Sequence, residues 1–177
     1  MAKSAFLQLL AKDLLDLRQN EMPRAKQIAR ELSRPIYLPK RKNGLLRKYR
    51  FSALRARNIV GAWNCIYGSS TTLMEILDSY SSGEAARCFL ASTVPGLGMK
   101  EASHFLRDIK FCDSLAVIDS HIIRFVNRSA VVAQHFPKSL SPRRYVELEQ
   151  VMKVVAENRS LSLAVLDMAI WEYARSH

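Results

Sequence analysis

A glycine-containing turn between two short amphipathic segments constrains the fold of this chain more than any other feature. Residues 83–90 and 99–106 both show the apolar spacing of a helix, and a Val-Pro-Gly-Leu-Gly turn, residues 94–98, separates them. The two glycines allow a tight reversal and a close approach of the backbone to an anion, which the N–H groups of the second helix would face. The pattern predicts a helix, a hairpin and a second helix, with Gly96, Leu97 and Gly98 in contact with a phosphate.

Helical periodicity continues along most of the chain, and strand patterns are weak throughout. Some starts are chemically marked: Ser141 precedes Pro142, and Ser160 or Ser162 can cap the last helix. We therefore expect an all-α protein. The predicted helices span residues 4–18, 23–32, 52–67, 71–80, 83–92, 99–109, 119–128, 142–157 and 160–174.

A strong positive charge points to a polyanionic partner. The formal net charge is +11, and residues 40–57 contain lysines and arginines but no acid. Clustered cations of this kind gain affinity by releasing counterions from nucleic-acid phosphates, so we expect Lys40, Arg47 and Lys48 to contact DNA. An anionic membrane surface or a merely solvated basic face are the alternatives that charge alone leaves open.

Cysteine and histidine usage gives no sign of a metal site or of disulfides. The three cysteines include no C-x-x-C pair, and neither they nor the four histidines have zinc-finger spacing.

No apolar run approaches the length that a bilayer requires, and the N-terminus does not resemble a signal peptide. We expect a protein of the cytoplasm, associated with the nucleoid, or otherwise intracellular, without a membrane partner, a metal or a cofactor. Hairpin carbonyls could still hold a monovalent cation.

Lys100 and Asp119 are the residues that indicate chemistry. Lys100 is the second residue after the hairpin, where a lysine can simply contact a phosphate. Asp119 lies nineteen residues further on, where an apolar run delivers it to the start of a helix that it could cap. Each residue alone therefore has a structural explanation, but the pairing of a hairpin lysine with this Asp-x-His helix start is more specific.

The sequence resembles the helix-hairpin-helix glycosylase superfamily, and within it the archaeal-type (class 2) 8-oxoguanine DNA glycosylase/AP lyases. The similarity begins near Arg50 and is most specific in the block 96–107. Further similar residues are Phe51, Arg55, Ala56, Ile59, Val60, Ile118, Asp119, His121, Ile122, Lys138, Ser139, Leu140, Ser141, Arg144, Tyr145, Leu166, Asp167, Ile170 and Trp171.

The resemblance implies a base-excision-repair enzyme acting on damaged double-stranded DNA, expected to be a monomer. It places Lys100 at the nucleophilic lysine, which forms a Schiff base before β-elimination, and Asp119 at the catalytic aspartate, whose carboxylate stabilises positive charge on the sugar. It also implies two helical lobes flanking a cleft, residues 1–82 with the N-terminal helices and basic loop and residues 83–177 with the hairpin and C-terminal helices. The base pocket would contain Phe51, Asp167 and Trp171. His104 and His121 are interpreted as packing or hydrogen-bonding supports.

Three other functions fit the same residues. The archaeal relatives end in a lysine-bearing tail that helps to read the oxidised guanine, and no lysine follows Lys153 here. A glycosylase for another lesion or a lyase for abasic sites is therefore an alternative. A non-catalytic module that binds DNA structure is the second, and a modified-base transferase is the third. Strand scission on a panel of lesion-containing duplexes distinguishes them.

Overall fold

The described part of the chain is helical, as the sequence predicts. A computed structural model describes residues 25–35, 49–67, 71–129 and 135–176, and every regular element in these ranges is an α-helix. The predicted helix at 4–18 and the predicted DNA contacts Lys40, Arg47 and Lys48 lie outside these ranges. The helices are α1 (Ala25–Leu32), α2 (Ser52–Tyr67), α3 (Leu73–Asp78), α4 (Gly83–Thr93), α5 (Met99–Asp108), α6 (Ser120–Arg128), α7 (Pro142–Glu157) and α8 (Leu163–Ser176).

The chain forms two compact units, which divide between positions 69 and 70. In the first unit α1 packs against α2. The hydroxyl of Ser33, just beyond α1, donates to the hydroxyl of Ser52 over 2.8 Å, so the end of α1 meets the start of α2. The predicted lobe boundary after Ser82 stays a prediction.

The second unit has its hydrophobic core among its last three helices. α8 packs against both α6 and α7, while α4 packs against α5. Apolar side chains of the non-helical segment before α6 join this core. Its buried members are Ala116, Ile118, Ile122, Ile123, Val126, Phe136, Tyr145, Leu148, Met152, Ala156, Leu163, Leu166 and Ile170.

Side-chain caps fix several helix starts and explain the small shifts from the predicted bounds. Ser141 accepts from the N–H of Arg144 with Pro142 in the first turn of α7, which confirms that predicted start. At α8 the hydroxyl of Ser162 accepts from the N–H of Val165. The helix therefore begins at Leu163, three residues later than the earliest predicted start, and Ser160 adopts a left-handed φ of 53° before it.

None of the described helices combines the length and apolar character that a membrane span requires.

Candidate active site

The hairpin between α4 and α5 has the backbone that its glycines predict. Gly96 has a φ of 88°, in the left-handed region that side chains rarely adopt. Gly98 is the N-cap of α5 and has no side chain to cap it. The N–H groups of Met99 and Lys100, the first two of α5, therefore lie at the helix end that favours an anion.

Glu101 is a residue of this site that the sequence reasoning missed. Its carboxylate hydrogen-bonds to the backbone at Gly98 and at Glu101 itself and lies 3.2 Å from Nζ of Lys100. Burial opposes ionisation of this carboxyl, but the backbone contacts and Lys100 hold its pKa below the ordinary value. A glutamate three residues after an N-cap is half of a capping box, which is the signal that could have identified it.

Asp119 is the N-cap of α6, and only one of its two carboxylate oxygens takes part in the cap. Its Oδ1 accepts from the N–H groups of His121 and Ile122 at 2.8 and 3.0 Å. Oδ2 has no hydrogen bond to any of the residues that the structure describes. Capping and chemistry are therefore compatible in this side chain, because each can use a different oxygen.

The residues before Asp119 are held by side chains rather than by a neighbouring strand. We call residues 115–118 the pre-helix segment. Oη of Tyr145 donates to the carbonyl of Ala116 over 2.7 Å and accepts from the N–H of Ile118 over 3.0 Å. Oε1 of Glu149 accepts from the N–H of Ala116 over 2.8 Å.

A buried ion pair supports these contacts. The guanidinium of Arg87, on α4, donates to Oε1 of Glu149 over 2.6 Å, and both side chains are almost fully buried. The same guanidinium lies 5.5 Å from the centre of the Tyr145 ring. Glu149 is thus neutralised where it binds the pre-helix segment, as a buried carboxylate must be.

Asp167, on α8, also binds the backbone of the pre-helix segment. Its Oδ2 accepts from the N–H of Val117 over 2.6 Å and from the guanidinium of Arg107. Burial raises the pKa of Asp167, while the Val117 N–H and Arg107 oppose that change. This side chain, predicted to lie in a base pocket, links α5, α8 and the pre-helix segment.

One pocket of about 680 Å³ brings Lys100 and Asp119 together. Gly98 and Glu101 line it from the hairpin side, and Asp119 lines it from the start of α6. Lys100 is half-exposed and lines a space large enough for a nucleoside-sized ligand. The remaining lining residues are Met99, Ile118, Ser120, His121, Ile123, Lys138, Ser139, Leu140, Pro142 and Tyr145.

The two histidines differ in surroundings. His121 lines this pocket, and its Nδ1 is buried without a hydrogen-bond partner among the described residues. Its position makes it a candidate for contact with a bound ligand. His104 lies on the surface, and its Nε2 is 3.6 Å from Oδ2 of Asp108.

The predicted base-pocket residues do not line the pocket that holds Lys100. Asp167 is engaged as described above, and Trp171 is partly exposed with the guanidinium of Arg175 4.9 Å from its ring centre. Phe51 belongs to the first unit, where it is 67% exposed and adopts a left-handed φ of 59°. The role of these residues in a base pocket stays a prediction. Across the described ranges, no cluster of three or more His, Cys, Asp or Glu side chains is placed to hold a metal ion.

Comparison with known proteins identifies the family of this chain. Residues 18–161 match the model of a family described as "8-oxoguanine DNA glycosylase". The "8-oxoguanine DNA glycosylase/AP lyase" of Saccharolobus islandicus is 41% identical over 125 residues, covering 70% of this chain and 58% of that protein. The enzyme of the same name from Sulfolobus acidocaldarius is 35% identical over 144 residues, 79% of this chain and 67% of the relative.

Solved structures match over more of the chain. The Methanocaldococcus jannaschii 8-oxoguanine glycosylase/lyase, in complex with a 15mer DNA containing 8-oxoguanine, is 30% identical with a TM-score of 0.68. The match covers 89% of this chain and 66% of that one. The 8-oxoguanine DNA glycosylase of Thermotoga maritima gives 27% identity and a TM-score of 0.62.

The helical fold and the lysine–aspartate pocket beside a glycine hairpin define a helix-hairpin-helix protein. Within that class, the chain belongs to the 8-oxoguanine DNA glycosylase family. It spans 58% of the length of the Saccharolobus relative that it matches.

Proposed function

We propose that this protein is a bifunctional DNA glycosylase and AP lyase of base-excision repair that removes 8-oxoguanine from double-stranded DNA. The observation that carries the proposal is the pocket that Lys100 and Asp119 share at the end of the hairpin. The names of the relatives support the substrate, and the net charge of +11 supports a DNA partner.

The chemistry follows from the two side chains. The target nucleotide leaves the base stack and enters the pocket, and the unprotonated amine of Lys100 attacks C1′ of its sugar. The N-glycosidic bond breaks, the base departs with its bonding electrons and takes up a proton, and the positive charge on the sugar is stabilised by the Asp119 carboxylate. The sugar ring of this adduct then opens: the C1′–O4′ bond breaks, O4′ takes up a proton, and a Schiff base joins C1′ to the lysine nitrogen. Removal of a proton from C2′ then expels the 3′ phosphate by β-elimination.

A covalent-trapping experiment tests the nucleophile. With a duplex containing 8-oxoguanine, borohydride should reduce the Schiff base and leave the protein attached to the DNA. Lys100→Gln should abolish both the attached product and strand scission. Lys138→Gln is the comparison variant, because Lys138 is the second lysine that lines the pocket, and it should still give the attached product when the protein is in saturating excess over the duplex. Trapping that survives Lys100→Gln and disappears with Lys138→Gln would reverse the assignment.

A panel of substrates tests the lesion. We expect scission of duplexes that contain 8-oxoguanine or an abasic site and none of duplexes that contain uracil. Cleavage of the abasic site alone would favour a lyase, cleavage at another oxidised base would change the lesion, and binding without scission would favour a structural module.

We propose that the protein acts inside the cell, as a monomer and without a cofactor, with a monovalent cation at the hairpin carbonyls as an additional prediction.

A further inference from the structure

A second pocket continues from the lysine–aspartate pocket along α6. It has a volume of about 510 Å³ and shares Ser120, Ile123 and Lys138 with the first pocket. It contains none of the hairpin residues that line the first pocket. The concave surface around Lys100 therefore extends along α6, where no hairpin residue lines it.

The side chains lining this extension are basic. Arg124, Arg128, His135 and Lys138, which we call the α6 basic surface, line it together with Ser120, Ile123 and Asn127. No acidic residue is among them. Arg124 and Arg128 also line a third pocket, of about 270 Å³, so the two arginines stand between two concave surfaces.

These cations lack the carboxylate partners that other cations of the chain have. Arg87, Arg107 and Lys153 each pair with a carboxylate within 4 Å. Within the described ranges, Arg124, Arg128 and Lys138 have no such pair. Unpaired guanidinium groups on one surface repel each other, and an anionic ligand relieves that repulsion.

The spacing of Arg124 and Arg128 suits the regularly placed phosphates of a nucleic-acid backbone. Arg124 and Arg128 are four residues apart in α6, so they lie on one helix face with Cβ atoms about 6 Å apart. A guanidinium forms two parallel hydrogen bonds with a phosphate, which gives direction as well as charge. Two such groups along a helix can therefore contact neighbouring phosphates of one strand.

We propose that the α6 basic surface binds the DNA backbone beside the extruded nucleotide, at the side of the pocket away from the hairpin. The proposal rests on the proposed function for its ligand, DNA. The hairpin and the α6 basic surface then hold the strand on two sides of the pocket, and Lys138, a member of that surface, lines both pockets.

Salt-dependent binding to an undamaged duplex tests the surface without any chemistry. Arg124→Gln and Arg128→Gln should each reduce the slope of log affinity against log salt by about 0.9, and the double variant should reduce it by about twice that. Arg159→Gln is the matched control. Arg159 is exposed, lines none of these pockets and lies beyond the C-terminal end of α7, about 24 Å along that 16-residue helix from the pocket-lining Pro142. A double variant with the slope of the Arg159 control overturns the proposal.

A second measurement locates the contact. Duplexes with an abasic-site analogue and one uncharged methylphosphonate, placed in turn at each of the nearest phosphates, are bound by the wild type and by Arg124→Gln. At a contacted phosphate, neutralisation should weaken wild-type binding several-fold and change variant binding little. Equal effects in both proteins at every position overturn the placement beside the pocket.

The two proposals can fail separately. If the wild type cuts the duplex and the double variant has an unchanged salt slope, DNA binding by the α6 basic surface is rejected and the glycosylase and lyase activity is supported. If the double variant has a reduced slope but the wild type never cuts, DNA binding by the surface is supported and the enzymatic activity is rejected.

Discussion

Tyr145 contributes to the site through its hydroxyl, which is bonded to two backbone groups of the pre-helix segment. Tyr145→Phe keeps the ring and leaves the carbonyl of Ala116 and the N–H of Ile118 without this partner. We expect the free energy of unfolding to fall by about 2 kcal/mol. Urea denaturation measures it. Tyr80→Phe is the control, because its ring stacks on Phe89 and its hydroxyl has no hydrogen bond among the described residues. Equal losses in the two variants would contradict this role.

The same hydroxyl predicts a loss of stability at alkaline pH. Burial raises the pKa of Tyr145 from 10.0 to about 12. Between these values the unfolded chain releases the phenolic proton and the folded chain keeps it, so rising pH favours unfolding. This residue should lower the free energy of unfolding by up to about 1.4 kcal/mol per pH unit in that window. Unfolding curves of the wild type and Tyr145→Phe should therefore converge between pH 10 and 12, and parallel curves would be the contrary result.

At this scale the sequence singled out Lys100 and Asp119, which line one pocket, but not the side chains that hold the segment before Asp119. Lys100 and Asp119 could be paired because each follows a local signal, a hairpin or a helix start. The partners of Tyr145, Glu149 and Asp167 are backbone groups 27 to 50 residues away in the chain. No local spacing encodes such a contact. The similarity to the family places Asp167 in a base pocket, which stays a prediction, but it gives no sign of the bonds that Arg107 and Val117 donate to its Oδ2.

At the scale of elements, the two hairpin glycines are required for different reasons, Gly96 for its backbone conformation and Gly98 for the space beside Glu101. Gly96 has a left-handed φ, so Gly96→Ala should cost about 1–2 kcal/mol of stability and weaken binding to a duplex. At Gly98 the φ of −99° is ordinary, but a Cβ would lie 3.1 Å from Oε2 of Glu101. Gly98→Ala should therefore move the Glu101 carboxylate more than it strains the backbone. Thermal unfolding and duplex titration of both variants measure the difference, and equal unfolding losses would contradict it.

Helix positions were predictable from the sequence because periodicity and caps are local. The predicted bounds 52–67 and 142–157 agree with α2 and α7, and α4 to α6 differ by one residue at an end. The pre-helix segment was recognised as an apolar run that ends in an acid. Its attachment to α7 and α8 was not predictable, since that depends on how the helices pack.

For the whole molecule, the excess of positive charge predicts that binding to DNA depends strongly on salt. The net charge is +11, and several acids of the second unit are engaged in ion pairs with lysine or arginine. We expect affinity for an undamaged duplex to fall by about 10³ or more between 50 and 200 mM salt, as for proteins with six or more phosphate contacts. Fluorescence anisotropy measures it. A nearly flat dependence would contradict a backbone-dominated interface.

The side-chain bonds of the pre-helix segment also determine how slowly its amide hydrogens exchange with solvent deuterium. The N–H groups of Ala116, Val117 and Ile118 donate in turn to Glu149, Asp167 and Tyr145, which come from two other helices. None of these three amides can open unless α7 or α8 gives way. They should therefore be among the most protected amides outside the helices, and the residue that follows them, Asp119, keeps its place for as long as the second unit stays folded.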